Sequence, residues 1–151
     1  VPLPHRPSPR TPARLQDRAT WLVSRAHARS FRLLNAGFEA HGGGLRGYHY
    51  RLLAALEEWG PSSQADVGRT TGIDRSDVTA ALTELEAQGL VERSVDPANK
   101  RRKIVTLTDA GATRLLDLDA VIDGIQREFL APLTAEQREQ FLGLMSLLVE
   151  E

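Results

Sequence analysis

The spacing of chain-breaking residues between Gly60 and Gly111 constrains this sequence more than any other feature. Gly60-Pro61 ends one helical pattern, Thr71-Gly72-Ile73 interrupts the next, Gly89 stops a third, and Asp96-Pro97-Ala98-Asn99 supplies a cluster of turn formers. What lies between them is short. "SSQADVGRT" opens with serines suited to capping a helix. "DRSDVTAALTELEAQG" opens with Asp74 as N-cap, has Asp77 at the third helical position, and repeats Val78, Leu82 and Leu85 at helical spacing until Gly89. "LVERSV" reads as a strand, and "KIVTLT" alternates Ile104, Thr106 and Thr108 with Val105 and Leu107. The order is therefore helix, tight turn, helix, hairpin.

The hairpin is charged out of proportion to the chain. The 151 residues carry a net charge of −1, yet Lys100, Arg101, Arg102 and Lys103 stand in a row, and the window Glu92 to Lys103 carries five cations against two anions. The chain's two lysines are both here. A charge run alone is usually a solvated turn. The second short helix changes that reading: it is slim enough to enter a DNA major groove with its first residues on base edges, while the cations meet phosphates or an adjacent minor groove. This is the winged helix-turn-helix arrangement.

Around this lobe the pattern is helical. Residues 1–12 hold five prolines with Arg6 and Arg10 and predict an extended or disordered basic arm. From Ala13, Leu15, Ala19, Leu22, Ala26, Ser30 and Leu33 predict a helix ending near His41, where Gly42-Gly43-Gly44 breaks it. "YHYRLLAALEEWG" predicts another. After the hairpin, Leu115, Leu118, Ile122, Ile125 and Phe129 are spaced 3, 4, 3, 4 as in a coiled-coil seam, with Thr108 or Asp109 as cap and Pro132 as stop. Thr134 and Gln137 predict a capping box for a last helix, apolar on two sides: Phe141, Leu144 and Leu148, then Leu142, Met145 and Val149. One core rarely needs both sides, so a second copy of the chain is implied.

The domain reading is thus a Pro-rich arm (1–12), an N-terminal dimerisation helix with its glycine loop (13–46), a winged helix-turn-helix lobe (47–108; recognition helix about 74–88, wing about 90–108) and C-terminal dimerisation helices (109–151). The fold class is mainly α with a small β-hairpin. An apolar content of 41% supports a packed core, no apolar run is long enough to cross a bilayer, and the N-terminus has no signal-peptide core. With no cysteine there is neither a disulfide nor a thiol sensor. The expectation is a cytoplasmic protein, nucleoid-associated when bound to DNA. No nucleophile elbow, phosphate loop or paired-acid motif points to an enzyme.

From Gly47 to Gly111 the sequence resembles the multiple antibiotic resistance regulator (MarR) family of bacterial transcription factors. "GLVER" followed by "DPANKRRKIVTLTDAG" is similar to the family's wing signature of aspartate, arginine, alternating strand and Leu-Thr-x-x-Gly. The resemblance implies a homodimer on a pseudo-palindromic double-stranded DNA operator, usually a repressor relieved by a small ligand, with no cofactor. It places Arg101 on the wing arginine and Asp96 on the wing aspartate. Arg75, Ser76, Thr79 and Thr83 fall on the groove-facing side of the recognition helix, and Ser62, Ser63 and Gln64 open the preceding helix, whose free N–H groups suit a phosphate. Lys100, Arg102 and Lys103 complete the expected DNA surface. Asn99 stands where an acid is common, and Ala80 and Glu84 where relatives are often basic.

Several residues admit two readings. Arg101 either contacts DNA or forms an ion pair that orients the wing; Arg75 either reads a base or interacts with Asp77 or the helix cap. Arg93 resembles a position used for anionic ligands, against a strand-end salt bridge. Trp21, His27, His49 and Tyr50 are candidates, with Phe31 and Tyr48, for a pocket taking a small aromatic or anionic effector, against a plain core role. His41 and His49 flank a glycine loop, but without a His-x-x-x-His pair or a cysteine no metal site is expected. An interaction module that binds no DNA is the competing function.

Overall fold

The computed structural model describes residues 10–149. Its elements run α1 (Ala19–His41), α2 (Gly47–Trp59), β1 (Ser62–Ser63), α3 (Gln64–Thr71), α4 (Arg75–Ala87), β2 (Val91–Asp96), β3 (Asn99–Leu107), α5 (Asp109–Phe129) and α6 (Ala135–Leu148). This is a mainly α winged helix-turn-helix fold. Most of the expected arm lies outside the described residues. The first helix starts at Ala19 rather than Ala13, because residues 13–17 form turns tied by Leu15 N–H to Pro12 O and Arg18 N–H to Leu15 O.

One core unites the lobe and the flanking helices. Leu52, Leu53 and Leu56 of α2 meet Val67 of α3, Val78, Leu82 and Leu85 of α4, Val91 and Val105 of the hairpin, and Leu115, Leu118 and Ile125 of α5. α1 packs chiefly on α5, closing the core with Phe38. This corrects the seam: Leu115, Leu118 and Ile125 face the chain's own α1 and α2 rather than a second copy. A 3-4 repeat satisfies intrachain helix packing as well as a coiled coil. α6, by contrast, has no buried residue.

Two glycines set the lobe's geometry. Gly72 closes α3 in the left-handed region at φ 67°, turning the chain into α4. At Gly111 any Cβ would collide with the Leu90 carbonyl oxygen, so the start of α5 can lie against the start of the wing only without a side chain. Thr108 is the N-cap of α5, accepting from Gly111 N–H at 3.0 Å, and the Thr134–Gln137 capping box opens α6. Asp74 occupies the cap position of α4, but its side chain makes no capping bond.

The sheet has order β1-β3-β2, all antiparallel. β1 was not expected. Ser62 pairs with Val105 and Ser63 with Ile104, which stitches the entry of the helix-turn-helix to the wing's second strand.

Candidate nucleic-acid interface

The hairpin turn is tighter than expected. Only Pro97 and Ala98 form it, and the cations belong to β3 itself. Asp96 Oδ1 accepts Ala98 N–H at 2.9 Å, a side chain closing the turn on its own backbone. Register then jumps, from Asp96 opposite Asn99 to Val95 opposite Lys103. Lys100, Arg101 and Arg102 therefore sit in a bulge, where strict alternation of side chains lapses. Asn99 Oδ1 steadies the bulge by accepting Arg101 N–H at 3.1 Å.

The bulge divides the arginines. Arg102 is the structural one: its guanidinium reaches Asp66 of α3 at 3.2 Å and stands 3.9 Å from Asp96. Asp66 also binds Arg69, and its carboxyl is held below the usual carboxylate range by the neighbouring Ser63 hydroxyl, then by Arg69 and Arg102, against the opposing effect of burial. Arg101 is exposed and its guanidinium makes no ion pair or hydrogen bond among the described residues; the same holds for Lys100 and for Arg75. The ion pair that orients the wing thus involves Arg102.

Arg101, Arg102 and Lys103 line one side of an open cleft, with Gln64, Ala65 and Arg69 of α3 and Arg75 and Thr79 of α4 on the other. α4 presents Arg75, Ser76, Thr79, Ala80 and Thr83 outward while Val78, Ala81, Leu82 and Leu85 are buried beneath. The expected groove-facing residues therefore share one exposed stripe beside the cationic strand. Ser62 and Ser63 do not join it. Ser63 is 3% exposed and caps α3 by accepting Asp66 N–H, and the Ser62 hydroxyl donates to Gly60 O at 2.8 Å, so both side chains are committed inward. Gln64 spends its Nε2 on Thr79 Oγ1 at 3.0 Å, bracing α3 against α4.

Two further contacts hold the recognition helix. Arg93 of β2 donates to Glu86 through Nε and Nη2, at 3.3 and 3.1 Å, and to Thr83 Oγ1 at 3.2 Å; its backbone N–H also meets Glu86. That bond network is the strand-end salt bridge weighed against a ligand role, and it keeps the Glu86 carboxyl below its ordinary value. His49 is fully buried at the start of α2. Its Nδ1 accepts Arg46 N–H at 2.8 Å, so the proton lies on Nε2, 2.5 Å from Glu84 Oε2 on α4. Burial lowers the His49 pKa, outweighing the pull of Glu84 in the other direction.

A model of the MarR family matches residues 44–102, the glycine loop through the bulge. The repressor NicR of Pseudomonas putida, an HTH-type transcriptional repressor, is 31% identical over 106 residues, 70% of this chain and 67% of that one. The chain belongs to the MarR family. Among solved structures, a probable transcriptional regulator from Pseudomonas aeruginosa is 33% identical with a TM-score of 0.77, over 89% of this chain and 99% of that one. PcaV, a transcriptional regulator of Streptomyces coelicolor in complex with its natural ligand, is 28% identical with a TM-score of 0.72, over 89% and 93%. In this MarR-family chain, the residues singled out for an effector are carried by three elements, α1, α2 and β2. His49 is enclosed with both ring nitrogens bonded, and Arg93 lines the cleft at α4. Trp21 and His27 lie on α1, and Tyr50 donates to Asp119 of α5 at 2.6 Å, which pushes its pKa up to about 12.

The residues that sequence reading missed are acids. Asp66, Glu84 and Glu86 anchor the wing, the α2 start and β2, respectively. For Glu84 the departure from a basic family pattern was the available signal; Asp66 and Glu86 carried none without the register.

Proposed function

We propose that the chain is a homodimeric repressor that occupies a pseudo-palindromic operator, with α4 in the major groove and the β3 cations on the flanking backbone or minor groove. One observation carries this: among the described residues, Arg75 and Arg101, which line the cleft between α4 and the wing, and Lys100 next to Arg101 are exposed with no ion-pair or hydrogen-bond partner for their side chains. Unpaired cations on one surface supply the phosphate-binding part of DNA affinity, while the exposed stripe of α4 supplies the sequence-reading part. Thr79 and Thr83 belong to that stripe; Arg102, paired with Asp66, supports the strand that carries Arg101, and Lys103 lines the same cleft.

Dimerisation rests on α6 and the outer side of α1 rather than on the seam of α5. Leu142, Leu144, Leu147 and Leu148 are exposed on α6, as are Leu22, Val23 and Phe31 on α1. PcaV is solved with its natural ligand, and a small organic effector is proposed for this chain as well. The function needs no catalysis and is exercised where DNA is, in the cytoplasm; among the described residues no helix is long and apolar enough to cross a membrane. An interaction module that binds no DNA leaves the unpaired cations without a role.

Selection of bound duplexes from a random pool tests the reading. The expected outcome is an enriched inverted repeat, bound with an affinity that falls steeply as salt rises. Binding that enriches no sequence would defeat it.

A further inference from the structure

Resting on that reading, we propose that α4 recognises its half-site through methyl groups: Thr79 and Thr83 pack against thymine C5-methyls and form no hydrogen bond to a base edge as donors. A threonine hydroxyl has one proton and two lone pairs. Thr79 Oγ1 donates to Arg75 O at 3.2 Å and accepts from Gln64 Nε2 at 3.0 Å. Thr83 Oγ1 donates to Thr79 O at 2.9 Å and accepts from Arg93 Nη2 at 3.2 Å.

Both protons are therefore spent on the helix's own carbonyls, four residues back. The major-groove edges of guanine and thymine, and N7 of adenine, ask for donors. With its proton turned inward, neither hydroxyl meets that demand. Each hydroxyl keeps one free lone pair, which suits an adenine or cytosine amino group but not thymine, and each methyl is free to meet a base edge, since both residues are exposed. They stand one turn apart on the outward face, with exposed Ala80 adding a third methyl. Thymine is the base that shows a methyl in the major groove.

The neighbours keep this arrangement in place. Gln64 and Arg93 hold the two hydroxyls from opposite sides, one from α3 and one from β2. Of the three acids on the same helix that would accept from a cytosine amino group, Glu84 and Glu86 are bound to His49 and Arg93, and Asp77 lies in the first turn, off the Thr79–Thr83 line. The stripe is left apolar at its middle and cationic at its start, where Arg75 stands.

The experiment replaces thymines by deoxyuridine, one at a time, in the operator selected by the wild-type protein. That removes only the C5-methyl. At one or more thymines in each half-site, affinity is expected to fall about fourfold, the worth of one buried methyl. Thr79→Ser and Thr83→Ser, which keep the hydroxyl and lose the methyl, should each bring one thymine-to-deoxyuridine ratio to about one, whereas Thr79→Val and Thr83→Val should preserve it. Full wild-type affinity for every deoxyuridine operator would overturn the inference while leaving the operator reading intact. So would Ser variants with unchanged ratios. A selection that enriches no sequence would instead overturn the operator reading, and the methyl readout with it.

Discussion

At the scale of single residues, the wing divides its arginines between two tasks. Arg102 is spent on Asp66, whereas Arg101 lines the cleft with no side-chain partner among the described residues. Arg101→Ala is therefore expected to weaken operator binding by about 1–3 kcal/mol and to lower the salt slope by roughly one, with melting temperature unchanged. A variant that binds the operator like wild type in a salt titration would remove Arg101 from the interface. His49 makes a different prediction, on stability. Nδ1 accepts Arg46 N–H, so protonating the ring breaks that bond, and burial already disfavours the cation despite Glu84. The folded pKa lies below the unfolded value of about 6.5, so the unfolded chain binds more protons in between. Stability from His49 is complete above that unfolded value and is lost as pH falls through the folded one. Thermal melts from pH 7.5 downward should show a decline that His49→Gln, which cannot titrate, does not share over the same window.

At the scale of elements, the breakers and caps announced the order of helices and strands, because Gly72, Gly89, Thr108 and Thr134 act on their immediate neighbours. What depends on partners distant in sequence was not readable. β1 exists only because β3 passes beside Ser62 and Ser63, and two residues carry no periodicity to announce a strand. The bulge was equally hidden: alternation assigns Arg101 and Arg102 to opposite faces but says nothing of where register slips. The α5 repeat misled for a related reason, since a 3-4 spacing describes one apolar stripe and not what covers it. Leu118 shows the difference, being 1% exposed in the core shared with α1 and α2. Leu118→Ala should cost about 2–5 kcal/mol of folding stability through the cavity it leaves. If Leu118 served only a subunit contact, the same change would separate subunits without lowering the stability of the fold, and denaturant titration followed by sedimentation distinguishes the two.

At the scale of the whole molecule, the charged cleft and the unburied helix make demands that one chain does not meet. α6 is tied to the turn before it by Arg138, whose Nε donates to Leu130 O and Leu133 O at 3.2 Å, yet Leu144, Leu147 and Leu148 are at least 63% exposed. Three leucines at that exposure forgo several kcal/mol of burial, on the order of 1.5–3 each, which a partner's α6 and α1 would recover. In the proposed dimer, two-fold symmetry sets a second α4 about one DNA turn from the first, so the proposed inverted repeat in the operator and the apolar surface of α6 have one cause. The expected outcome is a dimer that persists at micromolar concentration in sedimentation equilibrium. Leu144→Asp combined with Leu148→Asp should yield a monomer that keeps its helical circular dichroism, because neither residue belongs to the core. That monomer should bind a half-site and the full operator with nearly equal, weak affinity. Inserting about 5 base pairs between half-sites turns them to opposite faces of the duplex, and wild-type affinity should then fall to the monomer's level. A wild-type protein that is a folded monomer at micromolar concentration, or that binds the lengthened operator as tightly as the original, would mean that the apolar face of α6 serves something other than a second copy.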